Sequence, residues 1–377
     1  MTKTSQLTQY LEFIRYSLNP DGQPIPDVKK LDWNGLYQFA NEQAIAGVLF
    51  EGVKRLSEQG MKPPFDVLMQ WIATAERIDC QNRKLNKECC RLTKLFESDG
   101  YKSVILKGQG NAKLYPNPFC RHSGDIDIYV EGGKQKVINL LKSHGMVDKL
   151  SKYENDKIAS IAYHHIHIPS NEKGIVIEVH FLPSQGLYNP FINTRLQKLL
   201  SEEVMIGIKN IDEGFCVPSC RFSLLMQLAH IKRHYFESGI GLRQVIDFYY
   251  LLKSAQNEDR IFVSEKLKTV GLHSIAEAMM WVLINALKIE TDKVILLPNE
   301  RKGKMLFSSI IKGGNFGQYT ERPSSGILRT ISKRIERGKK ISFDPNEALW
   351  MEIRDLFYVV QTIPERIRRR SFHLSIR

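Results

Sequence analysis

At 377 residues, with 42% hydrophobic and 25% charged side chains, the chain has an ordinary soluble globular composition and more length than one hydrophobic core usually organises, so two or three domains are expected. Lys and Arg number 54 against 41 Asp and Glu, and the formal charge of +13 favours polyanionic partners without choosing among nucleotides, nucleic acid and an anionic surface. Six scattered cysteines (Cys80, Cys89, Cys90, Cys120, Cys216, Cys220) form no disulfide framework, the opening residues Met1 to Leu7 lack an apolar export signal, and a cytoplasmic protein with free thiols is expected.

Residues 1–100 read as helical. Apolar side chains recur at three and four in Leu7, Tyr10, Leu11 and Ile14, and again in Leu68, Trp71, Ile72 and Ala75 after Pro63-Pro64. Phe65 to Ser98 contains no Pro or Gly, which predicts one long helix stopped at Gly100.

The pattern changes over residues 101–215. Ser103 to Leu106 reads as a short strand, Gly108 to Leu114 as the start of a helix, Gly124 to Val130 as a strand, and Lys134 to Ser143 as an amphipathic helix with Val137, Leu140 and Leu141 inward. Ile158 to Ile168 and Ile175 to Phe181 read as an antiparallel hairpin around the turn Ser170 to Gly174. The fold class expected is α+β, a small mixed-sheet core flanked by N-terminal and C-terminal helical regions.

Helical periodicity returns over residues 216–300 and in a basic region, 301–377. Segments around Phe222 to Arg233, Leu242 to Leu252 and 263–288 are followed by punctuation at Pro298 and at Gly313 to Gly317. The stretch Ile275 to Ile289 is broken by Glu277 and Asn285 and falls short of the ~20 residues that span a bilayer, so no membrane span is expected. A final helix, Asn346 to Val360, is expected to bury Leu349, Trp350, Ile353 and Leu356. Basic runs at Lys333 to Lys340 and Arg366 to Arg370 are either a solvated helix face and frayed tail or a surface for RNA.

Chemistry concentrates between Leu106 and His180. In Arg121-His122-Ser123-Gly124-Asp125-Ile126-Asp127-Ile128, a strand period of two puts Asp125 and Asp127 on one face and the isoleucines on the other. Two adjacent carboxylates repel unless a cation lies between them, and a divalent metal holding a phosphate chain is the usual reason to build such a pair. A bare Asp-x-Asp occurs about once by chance in a chain of this length, so the surrounding residues matter. On the later strand Glu178 and His180 alternate with Ile177, Val179 and Phe181, and Glu178 would complete a three-carboxylate cluster. Backbone amides at the turn through Gly108 and Gln109, with Lys107, Arg121, Ser123 and Gly124, would hold phosphates.

Together these residues, from Ile105-Leu106-Lys107-Gly108 through Tyr115-Pro116 and Arg121 to Val130, with Glu178-Val179-His180 downstream, resemble the uncharacterised nucleotidyltransferase family of the DNA polymerase beta superfamily. The resemblance implies an α/β catalytic core that binds NTP with Mg²⁺ or Mn²⁺, a helical domain closing the cleft, and transfer of a nucleoside monophosphate with release of pyrophosphate. It assigns Asp125 and Asp127 to the metal and makes Glu178 the third acid and candidate general base. Gln109 stands where the wider superfamily has Gly or Ser. The acceptor is left open among a small molecule, tRNA and protein, with nucleic acid contact through the basic C-terminal region, and the alternative is a non-catalytic nucleotide- or RNA-binding module on the same fold.

Two further groups suggest a cleft lining. His230 and His234 share a helix face, as do Arg243 and Asp247, and these groups either meet phosphate or acceptor or form a packed histidine pair and an intrahelical ion pair. In the narrower family this helical part resembles His-x-x-x-His followed by Leu-Arg-x-x-x-Asp. Of His164, His165 and His167, one is expected in the cleft, one against a carboxylate and one in solvent, with transition-metal binding as the sharper reading. His230 lacks a following Glu, which excludes a zinc-protease motif, and Cys216 with Cys220 lacks the second half of a zinc site.

Overall fold

The computed structural model describes residues 3–19, 26–151, 158–169, 174–319, 335 and 337–368. Helices α1 (Lys3–Leu18), α2 (Trp33–Glu42), α3 (Ala46–Glu58) and α4 (Phe65–Ser98) precede the first strand. Nothing breaks α4 after Pro64, and its 34 residues reach about 51 Å at 1.5 Å per residue. Its buried side chains, among them Trp71, Ile78, Leu85, Leu92 and Phe96, recur at helical spacing. The N-terminal half of this stripe enters the large helical core and the C-terminal half enters the core beneath the sheet. One helix therefore fixes the two cores relative to each other.

Strands β1 (Ser103–Ile105), β2 (Ile126–Val130), β3 (Ser160–Ile161), β4 (His165–Ile168) and β5 (Ile177–His180) form one sheet in the order β1-β2-β5-β4-β3. β2 and β5 are parallel and the other pairs antiparallel, giving the mixed sheet expected of the fold class. Ile126, Ile128, Val130, Ile177, Val179 and Ile166 pack against α4 and α6 (Lys134–Ser143), because period-two alternation sends every second side chain to that face. Opposite each other on the other face stand Asp127, Glu178 and His167 in one row and His180 with His165 in the next.

Between β1 and β2 lies the single turn α5 (Gln109–Ala112). After β5 come α7 (Pro190–Glu203), the short hairpin β6 (Lys209–Asn210) and β7 (Cys216–Val217), then α8 (Cys220–Glu237), α9 (Leu242–Ser254), α10 (Asn257–Lys266), α11 (His273–Val282), α12 (Glu300–Gly313) and α13 (Pro345–Arg368). All six cysteines are free thiols. Among the described residues no helix is long and apolar enough to cross a membrane.

Two sequence expectations are corrected. The strand read over Ile158 to Ile168 is two strands, because Ala162 N–H bonds back to His165 O (2.9 Å) and turns the chain at Tyr163 and His164. On α13 the buried positions are Glu347, Ala348, Met351 and Asp355, whereas Leu349 and Leu356 are 58% and 65% exposed. The carboxylates can be buried because they are satisfied: Glu347 accepts the Tyr188 N–H (2.6 Å), and Asp355 pairs with Arg337 and Arg354. In the basic run before α13, Arg337 is bound to Glu352 and Asp355, and Lys340 donates to Phe236 O. The turn residues 170–173, Lys333, Arg334 and the side chains of Arg366 to Arg370 lie outside the described residues.

Candidate functional site

The polar face of the sheet and the helices α8 and α9 enclose a cleft of ≈ 510 Å³. The chain enters it through Gly108, whose φ of 60° and ψ of −106° suit glycine alone and turn the backbone sharply out of β1. This turn aims Lys107 at the sheet, where its Nζ lies 2.9 Å from Asp127 Oδ1. Burial disfavours the ammonium, but Asp127, Asp125 and Glu178 outweigh it and hold the Lys107 pKa above the ordinary lysine value.

Asp127 is 2% exposed, and the parallel register of β2 with β5 sets it beside Glu178. His180 completes the group: its Nε2 is 3.1 Å from Asp127 Oδ1 and 3.5 Å from Glu178 Oε2. Burial opposes a charge on His180, yet the two carboxylates accepting from it push its pKa up to about 9. Glu178 is pulled down to about 2, since the hydrogen bond from His180 and the charges of Lys107 and His165 outweigh its burial. His165 Nε2 stands 3.7 Å from Glu178 Oε1, and its Nδ1 meets His164 Nε2 at 2.9 Å. Burial, offset only in part by Glu178, holds His165 at about 4, and burial likewise holds His164 below the ordinary range. Of these three imidazoles, His180 is the one whose surroundings favour the cation.

Asp125 lines the cleft just before β2, next to Gly124, where a Cβ would meet nothing within 4 Å. Among the described residues three groups bring ligand atoms within 4.8 Å of one another: Asp127, Glu178 and His180; His165, His167 and Glu178; and His164, His165 and His180. Asp125 joins none of them. At close range the structure brings together two carboxylates and an imidazole, with Asp125 in the same cleft but outside that group.

Other expected site residues have different partners. Arg121 makes a bidentate ion pair with Asp247, Nε to Oδ1 at 2.7 Å and Nη2 to Oδ2 at 2.8 Å, and Tyr115 Oη donates to the same Oδ1 at 2.7 Å. Asp247 is therefore not the intrahelical partner of Arg243, and Arg121 is already neutralised. Ser123 turns its hydroxyl to Arg121 Nη1 (3.0 Å). Gln109 is 2% exposed and points away from the cleft, donating to Asn86 Oδ1 (2.6 Å) on α4. Because α5 is one turn long, the helix N-terminus expected to attract phosphate carries little dipole.

Arg243 Nη1 donates to His122 O (3.0 Å), while its Nε is buried with no partner among the described residues. Phe316 packs at its side, ring centroid 5.3 Å from the guanidinium and 4.9 Å from the His234 ring. His230 and His234 meet edge to face with ring centroids 4.3 Å apart, and burial holds His234 at about 4 and His230 well below its ordinary value. The sequence reading missed Phe316 and gave His164 no place of its own. The signal for Phe316 was an aromatic inside a glycine cluster, and it adopts φ 53° there.

The protein is α+β, with a mixed sheet that carries buried carboxylates into a cleft closed by helices. The family model of the uncharacterised nucleotidyltransferases matches residues 29–286, most of the chain. The chain belongs to that family. Among solved structures it is similar to an antigenic nucleotidyltransferase-like protein from Paracoccidioides brasiliensis, with 16% identity over 56% of this chain and 95% of that one and a TM-score of 0.34. A CCA-adding enzyme of Thermotoga maritima, solved with tRNA, shares 14% identity over 71% of this chain and 77% of its own, with a TM-score of 0.19. No curated protein matches the sequence.

Proposed function

We propose that the chain transfers a nucleoside monophosphate from an NTP to an acceptor, releasing pyrophosphate, with a divalent metal held in the cleft. The observation that carries this reading is the register of β2 with β5, which buries Asp127 beside Glu178 in a cleft edged by Lys107 and Arg243. The donors fit a divalent ion, because two anionic oxygens and an imidazole nitrogen converge within 4.8 Å at a place that already attracts the Lys107 ammonium. Asp127 and Glu178 would hold the ion, with Asp125 at the rim. When bound, it would lower the pKa of an attacking hydroxyl and shield charge on the phosphates.

The side chains divide the remaining work. Lys107 and Arg243 bind phosphate oxygens, and Phe316 offers a ring for stacking beside Arg243. The acceptor oxygen attacks the α-phosphorus while the bond to the β-phosphate oxygen breaks. Glu178 would serve as ligand and anion beside Asp127. The neutral His165 Nε2, adjacent to Glu178, takes the acceptor proton. Neutral His230 and His234 add polar surface without repelling a cationic acceptor. A small molecule, tRNA or a protein remains the acceptor class to be tested.

The test is pyrophosphate release from ATP, CTP, GTP and UTP with Mg²⁺ or Mn²⁺ and a panel of acceptors, comparing wild type with Asp127→Asn. Release by the wild type that falls at least about a hundredfold in the variant is expected, since one transition-state electrostatic contact is worth ~10²–10³ in rate. Equal release by both proteins would remove Asp127 from the chemistry. A second reading, a nucleotide sensor without turnover, draws on Lys107 and His180 already neutralising Asp127. Tight metal-independent nucleotide binding in calorimetry, with no pyrophosphate released, would establish it instead.

A further inference from the structure

Glu178-Val179-His180 is a three-residue run in which alternation puts the carboxylate and the imidazole on the same face of β5. Because β5 lies parallel to β2 with Glu178 opposite Asp127, His180 sits one row along and reaches back to both acids through one atom, Nε2. The separations of 3.1 Å and 3.5 Å are those of neighbouring donors around one ion with bonds of about 2.0–2.2 Å, for which a tetrahedral edge is roughly 3.4 Å. His180 is 3% exposed and lines the cleft with Asp127 and Glu178.

We infer that the metal of this cleft is bound by a mixed set, Asp127, Glu178 and the imidazole of His180, and that the nitrogen donor makes the site select a borderline first-row ion of the Co²⁺ or Zn²⁺ kind over Mg²⁺. Mg²⁺ prefers oxygen ligands in octahedral geometry and gives up water reluctantly, whereas imidazole suits the later transition ions. The ion replaces the proton on His180 Nε2, and that proton leaves to solvent. Lys107 and His180 both contact Asp127 Oδ1, so an ion bound there would take the place of the Lys107 ammonium at that oxygen. The inference rests on the cleft being the metal-dependent transfer site, and it concerns which ion and which ligands serve there.

Metal-free full-length protein is titrated with Co²⁺ and followed by visible absorption, first alone and then against Mg²⁺. The expected result is one tightly held equivalent with the intense bands of a low-coordinate ion, retained in a hundredfold excess of Mg²⁺. In His180→Asn the affinity for Co²⁺ should drop at least tenfold and the band pattern should change. Displacement of Co²⁺ by equimolar Mg²⁺, or binding by His180→Asn indistinguishable from wild type, would overturn the inference. If His180→Asn does not fold, as judged by circular dichroism, pulsed EPR of Mn²⁺ bound to wild type decides: nitrogen coupling from a histidine supports the imidazole ligand, and its absence rejects it. These readouts are independent of turnover. A protein that releases pyrophosphate with Mg²⁺ but shows no nitrogen ligand loses only this inference, and one with the nitrogen ligand but no release loses only the transfer reading.

Discussion

Removing the carboxylate of Asp247 should destabilise the protein and slow its chemistry together. Arg121 is 6% exposed and Asp247 2%, and the two share parallel hydrogen bonds of 2.7 and 2.8 Å, so neither charge has water to fall back on. In Asp247→Ala the guanidinium stays buried without its anion, which costs about 3–5 kcal/mol, and Tyr115 Oη loses its acceptor, worth a further ~1 kcal/mol. Against a total stability of roughly 5–15 kcal/mol this is a large fraction, visible as a shifted midpoint in urea unfolding. The pair spans 126 residues and joins the loop before β2 to α9, so loosening it also frees the backbone that carries Asp125 and Asp127. The companion Asp247→Leu with Arg121→Met removes both charges and should recover most of the stability, because a buried ion pair is roughly matched by apolar residues of similar volume. An Asp247→Ala midpoint within about 0.5 kcal/mol of wild type, or a double variant no better than the single, would refute the reasoning.

Two further outcomes follow from the site and from the packing behind it. Arg243→Ala removes a guanidinium from the cleft wall, and a charge-assisted hydrogen bond is worth ~1.5–3 kcal/mol, so calorimetry should find pyrophosphate bound some ten- to a hundredfold more weakly; an unchanged Kd would take Arg243 out of the anion grip. Asp344 accepts from Lys232 Nζ at 2.7 Å and from Ser274 Oγ at 2.6 Å, which outweighs its burial and holds its pKa below the ordinary carboxylate value. The stability it contributes is therefore complete above the unfolded-state pKa of ~3.9 and is lost as pH falls through the lower folded value. The difference in melting temperature between wild type and Asp344→Asn should be constant from pH 7 to about pH 5 and vanish in stronger acid; a difference that grows on acidification would contradict this sign.

Period-two alternation was enough to read Asp127, Glu178 and His180 onto one face of a sheet, and the lack of Pro and Gly was enough to read α4. Local rules reach this far because each concerns neighbours within a few residues. They fail where a partner comes from elsewhere in the chain. Nothing around Arg121 announces that its carboxylate is on α9, and nothing in Gly108-Gln109-Gly110 shows that the amide turns to Asn86 rather than to phosphate. On α13 hydropathy favoured Leu349 and Leu356 for burial, but the helix instead buries Glu347 and Asp355, whose partners on other segments satisfy them. The short turn at Tyr163 was hidden for another reason: it has no Gly, Pro, Asn or Asp to mark it.

These long-range partners also explain why so small a sheet needs so much helix around it. β1 and β2 are three and five residues long, and the loop between them must hold Lys107, Asp125 and Asp127 to within a fraction of an ångström for any metal or phosphate chemistry. Two helices fix that loop from opposite ends. On α4, Asn82 Nδ2 donates to Phe119 O and Arg121 O, both at 2.8 Å, while Asn86 holds Gln109 just past the Gly108 turn. On α9, Asp247 grips the Arg121 side chain and Arg243 binds His122 O. Since α4 packs into both cores, a shift of the helical region relative to the sheet would pull on Asn82 and Asp247 together. The cleft residues supply the chemistry, and the precision of their placement is set by the helices.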